Sequence, residues 1–257
     1  MNELLWGVAY GPVASRRLGL SLGVNLLPPD RKVCTFNCTY CQFGWTRLEA
    51  GGKLPSASQW PTRESVAHEV TVALERCLAS GGRPDRLTIA GHGEPTLHPD
   101  FPAVVRGLRA VRDRLAPDLP IAILSNSSTA DRPAIRKALA EIDERHMKLD
   151  AGDDDLLHRL NGASMRLPKV LAGLKGLTDI HVQSMFVADR TGRLDNTHAV
   201  AVTAWLNAIV ALKPRAVHLL TIHRPPAFPF LRAVPLDRLE AVARRVREAG
   251  IPAQAFG

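Results

Sequence analysis

The chain has 257 residues, 46% of them hydrophobic and 23% charged, which is the composition of a globular protein and excludes a disordered chain. It has no apolar run long enough to span a membrane, and its start, MNELLWGVAYGPVASRRLG, lacks the pattern of a secretory signal, so we expect a cytoplasmic protein without a membrane partner. The formal net charge of +8 is weak evidence for an RNA partner, because the lysines and arginines are scattered over several predicted helices.

Short apolar or β-branched runs alternate along the chain with longer segments of helical periodicity. The predicted strands are LGVNLL (22–27), RLTIAG (86–91), PIAILSN (120–126), RHMKLD (145–150), DIHVQSMF (179–186) and AVHLLTI (216–222). The predicted helices lie at 62–80, 100–115, 132–142, 166–176, 199–212 and 236–249. This alternation predicts an α/β fold with a parallel sheet, either a partial (β/α)6 TIM-like barrel or a doubly wound sheet, in a single domain over residues 1–257.

The helix at 62–80 carries a predicted cap at one end and a stop at the other. Thr62 is a residue type that accepts a hydrogen bond at a helix N-terminus, and Gly81 and Gly82 end the helical pattern. Cys77 falls on the apolar stripe of this helix, so we predict that it is a core residue and not a ligand.

Three of the four cysteines lie together in CTFNCTYCQ, as Cys34, Cys38 and Cys41. In a reducing compartment such a cluster indicates metal binding or catalysis more than a disulfide framework. A structural zinc site needs four protein ligands, and the spacing supplies no second cysteine pair. An iron–sulfur cubane usually has four cysteine ligands, so three would leave one iron open to an exogenous ligand.

The loop resembles the CxxxCxΦC loop of the radical S-adenosylmethionine (SAM) superfamily, with Tyr40 as the aromatic Φ. The resemblance implies a partial barrel in which Cys34, Cys38 and Cys41 hold a [4Fe–4S] cluster, and SAM binds the fourth iron with its adenine near Tyr40. It also implies an external one-electron donor of the flavodoxin or ferredoxin type. Reductive cleavage would then give methionine and a 5′-deoxyadenosyl radical that abstracts hydrogen from a substrate.

Polar residues at the ends of the next predicted strands extend this resemblance. In GHGEPTLHP, Gly91, Gly93 and Glu94 match the segment that meets the methionyl amine, although His92 stands where many members have glycine. The remaining residues that the resemblance assigns to SAM are Ser125, Asn126, Lys148, Asp150 and Gln183. Simpler interpretations are also open: His92 as a satisfied loop histidine, Asn126 as a turn former, Asp150 as a helix cap and Lys148 as a solvent-facing strand residue.

A wider likeness, in GPVASRRLGLSLGVNLLPP, MKLDAGD and TIHRPPA, is to compact radical enzymes related to the wyosine-type tRNA-modifying oxidoreductases. The sequence has one cysteine beyond the loop, however, which excludes a second three-cysteine cluster and argues against the wyosine reaction. Arg16, Arg17 and Arg224 either grip an anionic substrate or tie strand ends together.

The hypothesis is therefore a radical SAM oxidoreductase or transferase acting on RNA or on a small molecule. Two alternatives remain at this stage. One is a glycyl-radical enzyme activase, which has the same cysteine spacing, and the other is a zinc-binding interaction module.

Overall fold

The computed structural model describes residues 7–46, 60–226 and 228–257. The strands are Ala9–Ser15 (β1), Gly19–Val24 (β2), Arg86–Ile89 (β3), Ile121–Ser125 (β4), Glu144–Lys148 (β5), Ile180–Met185 (β6), Val187–Asp189 (β7), Ala216–Leu220 (β8), Leu231–Ala233 (β9) and Ala253–Phe256 (β10). The helices are Arg63–Ala79 (α1), Phe101–Leu115 (α2), Pro133–Ala140 (α3), Asp154–Asn161 (α4), Leu167–Lys175 (α5), Ala199–Leu212 (α6) and Leu236–Glu248 (α7), with a 3₁₀ turn at Pro95–Leu97.

One curled eight-stranded sheet carries the fold, in the order β1-β2-β3-β4-β5-β6-β8-β10. From β2 to β10 every neighbouring pair is parallel, and β1 pairs antiparallel with β2 at the edge. Strand order follows chain order without a reversal, which is the topology of a half-barrel and not of a doubly wound sheet. The short strands β7 and β9 pair with each other separately.

Alternation along each strand separates an outer face from an inner one. Ser184 of β6 bonds to Trp205 of α6 at 3.0 Å, whereas its neighbour Gln183 bonds to Arg17 between β1 and β2. The outer face is apolar, and fully buried side chains such as Ile123 contribute roughly 1.5–3 kcal/mol each. The inner face, which lines the lumen of the half-barrel, carries the polar residues discussed below.

Each predicted strand and helix is present, with ends displaced by a few residues. The strand predicted at 22–27 is Gly19–Val24, so Leu27 lies in the following loop. Thr62 accepts a hydrogen bond from Ser65 N at 3.1 Å, and Cys77 is 8% exposed, as predicted for a cap and a core residue.

Several short elements were not predicted: β1, α4, β7, β9 and β10. The edge strand β1, AYGPVAS, is largely exposed and lacks an apolar alternation, while α4, DDLLHRLN, is brief and mostly polar. Among the described residues, no helix has the length and hydropathy needed to cross a bilayer.

Candidate cofactor site

The cysteine loop, defined here as residues 25–46, leaves the carboxyl end of β2 and is fixed at several points. Lys32 Nζ donates to the Gly44 carbonyl oxygen at 2.6 Å across the base of the loop. The backbone N–H groups of Asn37 and Thr39 donate to two carbonyl oxygens at the end of α4, at 2.8 and 2.9 Å. These contacts hold the loop over the carboxyl edge of the sheet, where ligands bind in parallel barrels.

All three thiols of the cysteine loop are free, with Cys38 buried and the other two half-buried. Amide donors approach two of the sulfur atoms: Asn126 Nδ2 lies 3.4 Å from Cys34 Sγ, and Asn161 Nδ2 lies 3.3 Å from Cys38 Sγ. Burial raises the pKa of Cys34 to about 12 and also raises the pKa of Cys38. Thiolates here therefore need a positive partner, and the two amides then stabilise them.

The glycine-rich segment packs against the cysteine loop itself. A Cβ on Gly91 would lie 2.0 Å from Asn25 Oδ1, and one on Gly93 would lie 1.8 Å from the Val33 carbonyl oxygen. Each glycine therefore allows a close backbone approach to the chain's own loop, and the predicted contact with the methionyl amine stays a prediction. Both glycines are required for the loop to rest on the end of β3.

Glu94, which is 1% exposed, connects the ends of β3 and β4. Its carboxylate accepts from the Thr96 N–H, the Thr96 hydroxyl, the Ser125 hydroxyl and the Asn126 N–H, over 2.5 to 3.1 Å. Burial raises the pKa of Glu94, and these hydrogen bonds oppose the rise. Glu94, Ser125 and Asn126 thus form one connected set beneath the cysteine loop, and their contact with SAM stays a prediction.

Tyr40, Lys148, Asp150 and Asn161 form a second set, called here the carboxyl-edge network. Tyr40 OH donates to Asp150 Oδ2, Lys148 Nζ donates to Tyr40 OH at 2.8 Å, and Asn161 Nδ2 donates to Asp150 Oδ2 at 2.7 Å. The backbone N–H of Met185 donates to Asp150 Oδ1 at 2.8 Å. Asp150 therefore connects the cysteine loop to β5, α4 and β6.

The charges of the carboxyl-edge network reinforce one another. Burial by itself lowers the pKa of Lys148, but Asp150 at 3.5 Å and the nearby Cys38 more than compensate, so its pKa is raised. Burial and the charge of Asp150 raise the pKa of Tyr40. Lys148 is thus a cation beside the cysteine loop and not a solvent-facing strand residue, and the cap of α4 is Asp153 and not Asp150.

The other predicted residues lie apart from this network. Gln183 Oε1 accepts from Arg17 NH1 at 2.6 Å inside the lumen, and Arg16 is exposed. Arg224 is exposed and donates to Gln42 Oε1 at 3.0 Å, next to the cysteine loop's last thiol. His92 is fully buried with its Nε2 2.6 Å from the Pro28 carbonyl oxygen, while its Nδ1 has no hydrogen-bond partner among the described residues, so only one nitrogen of this loop histidine is satisfied.

Asn161 was missed in the sequence, although it contacts Cys38, Tyr40 and Asp150. It is the last residue of α4 and precedes Gly162, whose φ is +55°. An Asn-Gly pair at a helix end predicts a C-terminal cap and carries no signal for a cofactor site. Two surface clefts, of about 250 Å³ each, contain none of the predicted site residues, although the second is lined in part by Asn25, Leu27 and Pro29 at the start of the cysteine loop.

Residues 32–190 match the family model described as Radical SAM superfamily. The chain belongs to the radical SAM superfamily. Its cofactors are a [4Fe–4S] cluster and SAM. The matched segment contains the three cysteines, the glycine-rich segment and the carboxyl-edge network.

The chain is similar to several proteins along most of its length. A UPF0026 protein of Helicobacter pylori is 31% identical over 229 residues, covering 86% of this chain and 68% of the relative. A UPF0026 protein of Methanocaldococcus jannaschii is 28% identical over 228 residues, covering 88% and 66%. A probable GTP 3′,8-cyclase of Methanococcus aeolicus is 23% identical over 182 residues, covering 68% and 53%. The chain spans about two thirds of the length of the UPF0026 relatives.

Solved structures confirm the half-barrel fold. A radical SAM methyltransferase from Sphaerobacter thermophilus has a TM-score of 0.67 at 17% identity, covering 92% of this chain and 65% of that one. Streptococcus suis SuiB bound to S-adenosylmethionine has 0.61 at 14%, covering 91% and 50%. Archaeal TYW1 has 0.57 at 13%, covering 89% and 72%, which shows the fold alone and leaves the wyosine-type likeness a hypothesis.

The donor set fits a cluster better than it fits a single ion. A zinc ion draws its ligands to about 2.3 Å, which brings the sulfur atoms close together, whereas a cubane takes each thiolate on a separate iron and needs wider spacing. In the part of the chain that the structure describes, no three or more histidine, cysteine or acidic side chains are arranged to hold one metal ion. Three free thiols on one loop, with amide donors near two of the sulfurs, are compatible with a cluster that takes three protein ligands.

Proposed function

We propose that the protein is a radical SAM enzyme in which Cys34, Cys38 and Cys41 hold the [4Fe–4S] cluster. The observation that carries this proposal is the position of the three thiols. They lie on a loop at the carboxyl end of β2, with Asn126 and Asn161 donating to two of the sulfurs from the ends of β4 and α4. When bound, the cluster supplies one electron that cleaves SAM to methionine and a 5′-deoxyadenosyl radical, which abstracts hydrogen from the substrate.

The surrounding residues prepare this site electrostatically. Lys148 places a positive charge beside Cys38, and the two asparagine amides donate to sulfur, so each lowers the cost of thiolates in a buried loop. Tyr40 is held by Asp150, Lys148 and Asn161, which fixes its ring orientation at the edge of the cysteine loop. Rigid support of this kind positions the cofactors.

The SAM-contacting residues of the proposal fall into two groups by their surroundings. Tyr40, Lys148 and Asp150 belong to the carboxyl-edge network, while Gly91, Gly93, Glu94, Ser125 and Asn126 belong to the set between β3 and β4. Gln183 is in register with Lys148 but is bonded to Arg17 and not to the carboxyl-edge network, and we assign it to substrate instead of SAM. This revises the sequence-based assignment of Gln183 to the cofactor.

Whether the reaction is an oxidation or a group transfer depends on the substrate, for which we propose only a class. The electron comes from an external donor of the flavodoxin or ferredoxin type in this proposal. Among the relatives, the name of the Methanococcus aeolicus protein implies a nucleotide substrate, which makes an anionic small molecule the leading class. A wyosine-type reaction on RNA is the finer alternative, and the single cysteine outside the loop counts against it.

Neither earlier alternative gains support. A zinc-binding interaction module would need one closed ion site, and the described residues supply no such group. No feature of the described residues favours a glycyl-radical activase over other members of the superfamily, since a match of residues 32–190 is common to the whole superfamily.

Anaerobic reconstitution with iron and sulfide, followed by dithionite and SAM, tests the proposal. We expect about four irons per chain and formation of 5′-deoxyadenosine. Cys34→Ala, Cys38→Ala and Cys41→Ala should each lose both, whereas Cys77→Ala, which removes the remaining cysteine from the core of α1, should keep both. A wild-type protein that binds no cubane, or loop variants that cleave SAM normally, would contradict it.

A further inference from the structure

Three histidines face one another across neighbouring strands inside the lumen. His146 of β5, His181 of β6 and His218 of β8 have ring centroids 4.8 to 5.6 Å apart, and His146 is stacked on both of the others. His146 and His181 are register partners, two residues before Lys148 and Gln183 on the same strands. His146 and His181 therefore lie one layer below Lys148, His218 is in register with Gln183, and all three rings are on the same inner face of the sheet.

Each of these rings has an unused polar atom. The Nδ1 atoms of His146, His181 and His218 are buried and have no hydrogen-bond partner. Burial lowers the pKa of His181 to about 4 and of His218 to about 3, and it also lowers the pKa of His146, so the rings are neutral near neutral pH. Buried polar atoms normally have partners, so three unpaired atoms in one place are an unusual cost that a bound polar group would remove.

Arg17 brings a cation to the same place from the turn between β1 and β2. Among the described residues, its guanidinium makes one side-chain hydrogen bond, to Gln183 Oε1 at 2.6 Å, and no ion pair. Burial and the adjacent Arg16 lower the pKa of Arg17 to about 10. A guanidinium has five N–H donors, so most of its donor capacity is free.

The nearby carboxylate does not neutralise Arg17. Glu144 accepts from Arg86 Nε at 2.7 Å and lies 3.4 Å from His146 Nε2. Its charge is therefore matched by Arg86, just as Asp150 matches Lys148 higher in the lumen. Arg17, which is half-buried, has no ion-pair partner among the described residues, and a cation partly removed from water without a counterion is costly.

We propose that Arg17, His146, His181 and His218, called here the lumen floor, bind the carboxylate or phosphate group of a small-molecule substrate. The Arg17 guanidinium pairs with the anion through two parallel N–H donors, and Gln183 orients the guanidinium. The histidine Nδ1 atoms donate to the anion's oxygens or accept from neighbouring hydroxyls of the substrate. Since Gln183 is in register with Lys148, the rest of the molecule extends toward the cysteine loop. This inference rests on the proposed function and adds the substrate class.

Titration of the reconstituted protein with inorganic phosphate, and separately with acetate, tests the lumen floor without requiring SAM cleavage. Histidine ¹⁵N resonances report binding at constant ionic strength. We expect saturable shifts in the wild type and in Arg16→Gln, which removes the exposed neighbouring charge. In Arg17→Gln, binding should weaken by about 10-fold or more, because a charge-assisted pair is lost. Arg17→Lys keeps the charge without the fork and should lie between them.

The outcomes separate cleanly. Tighter binding of phosphate than acetate assigns a phosphoryl group, and the reverse assigns a carboxylate; either supports the inference. Equal binding by wild type and Arg17→Gln, with both correctly folded by circular dichroism, would overturn it. Displacement of phosphate by an RNA oligonucleotide without terminal phosphates would overturn the small-molecule class. Failure of the proposed function appears separately, as wild-type protein without cluster or 5′-deoxyadenosine.

Discussion

The carboxyl-edge network and the lumen floor are adjacent layers of one lumen, and both are built from polar side chains. In the upper layer, the Asp150 carboxylate accepts three hydrogen bonds and has a cation beside it. In the lower layer, Arg17 makes a single hydrogen bond and three histidine nitrogens make none. In the upper layer the chain itself pairs both charged groups, although Asn161 Oδ1 has no partner among the described residues. In the lower layer Arg17 has no ion pair among the described residues.

This difference separates support from binding capacity. Polar groups that pair with each other across several elements stabilise the protein and fix the orientation of their neighbours. Polar groups that are buried without partners lower stability until a ligand pairs with them. Substitutions in the two layers should therefore change stability in opposite directions.

The largest effect is expected for Asp150→Asn. The substitution leaves Lys148 as a buried cation without its counterion and weakens the bonds from Tyr40 and Asn161, so the free energy of unfolding should fall by about 3 kcal/mol. Urea unfolding of the reconstituted protein, followed by circular dichroism, measures it.

Asp155→Asn is the matched control, because Asp155 is 75% exposed and pairs with Arg159 on the surface of α4. Its loss should cost under about 0.5 kcal/mol. Equal effects of the two aspartate variants would show that the carboxyl-edge network is not the supporting layer.

The carboxyl-edge network, which is the supporting layer, could be predicted only in part from the sequence. Strand-end positions could be predicted from periodicity, because apolar strands followed by polar residues repeat along the chain, and this placed Lys148 and Asp150 together. Asn161 could not be found this way, since its role depends on how the end of α4 packs against the cysteine loop. The same contact was invisible because α4 itself was not predicted.

The lumen floor was even harder to predict from the sequence. His146, His181 and His218 lie in predicted strands, but their stacking depends on strand register and on the curvature of the sheet. Arg17 and Gln183 are 166 residues apart, so no local pattern connects them. The sequence offered two roles for Arg17, and substrate binding is the one that we propose.

A change of intermediate size in the free energy of unfolding is expected when the pH is lowered. His218 has a pKa of about 3 in the folded protein, against an ordinary value of 6.5, so below that ordinary value the unfolded chain binds more protons. Stability should therefore fall as the pH falls. Between about pH 7.5 and about pH 5.5 this one histidine accounts for about 1 kcal/mol.

In His218→Gln, the free energy of unfolding should fall by about 1 kcal/mol less than in the wild type over this pH range. In His68→Gln, on the exposed face of α1, it should fall as much as in the wild type. Urea midpoints at both pH values, in buffers free of phosphate and carboxylate, provide the measurement. A wild-type decline that persists unchanged in His218→Gln would mean that the lumen floor is already solvated or paired.

The smallest effect, and the one that divides the two layers by sign, is expected for Arg17→Met. Because the guanidinium is half-buried and has no counterion among the described residues, replacing it with an apolar side chain of similar length should leave the free energy of unfolding unchanged or raise it by up to about 1 kcal/mol. Arg16→Met, at the exposed neighbouring position, should have no measurable effect. Urea midpoints of both variants without added anions measure the difference. A fall of more than about 2 kcal/mol in the free energy of unfolding of Arg17→Met would identify Arg17 as a structural tie between strand ends. A residue whose role is to bind a ligand stabilises the protein only when that ligand is present.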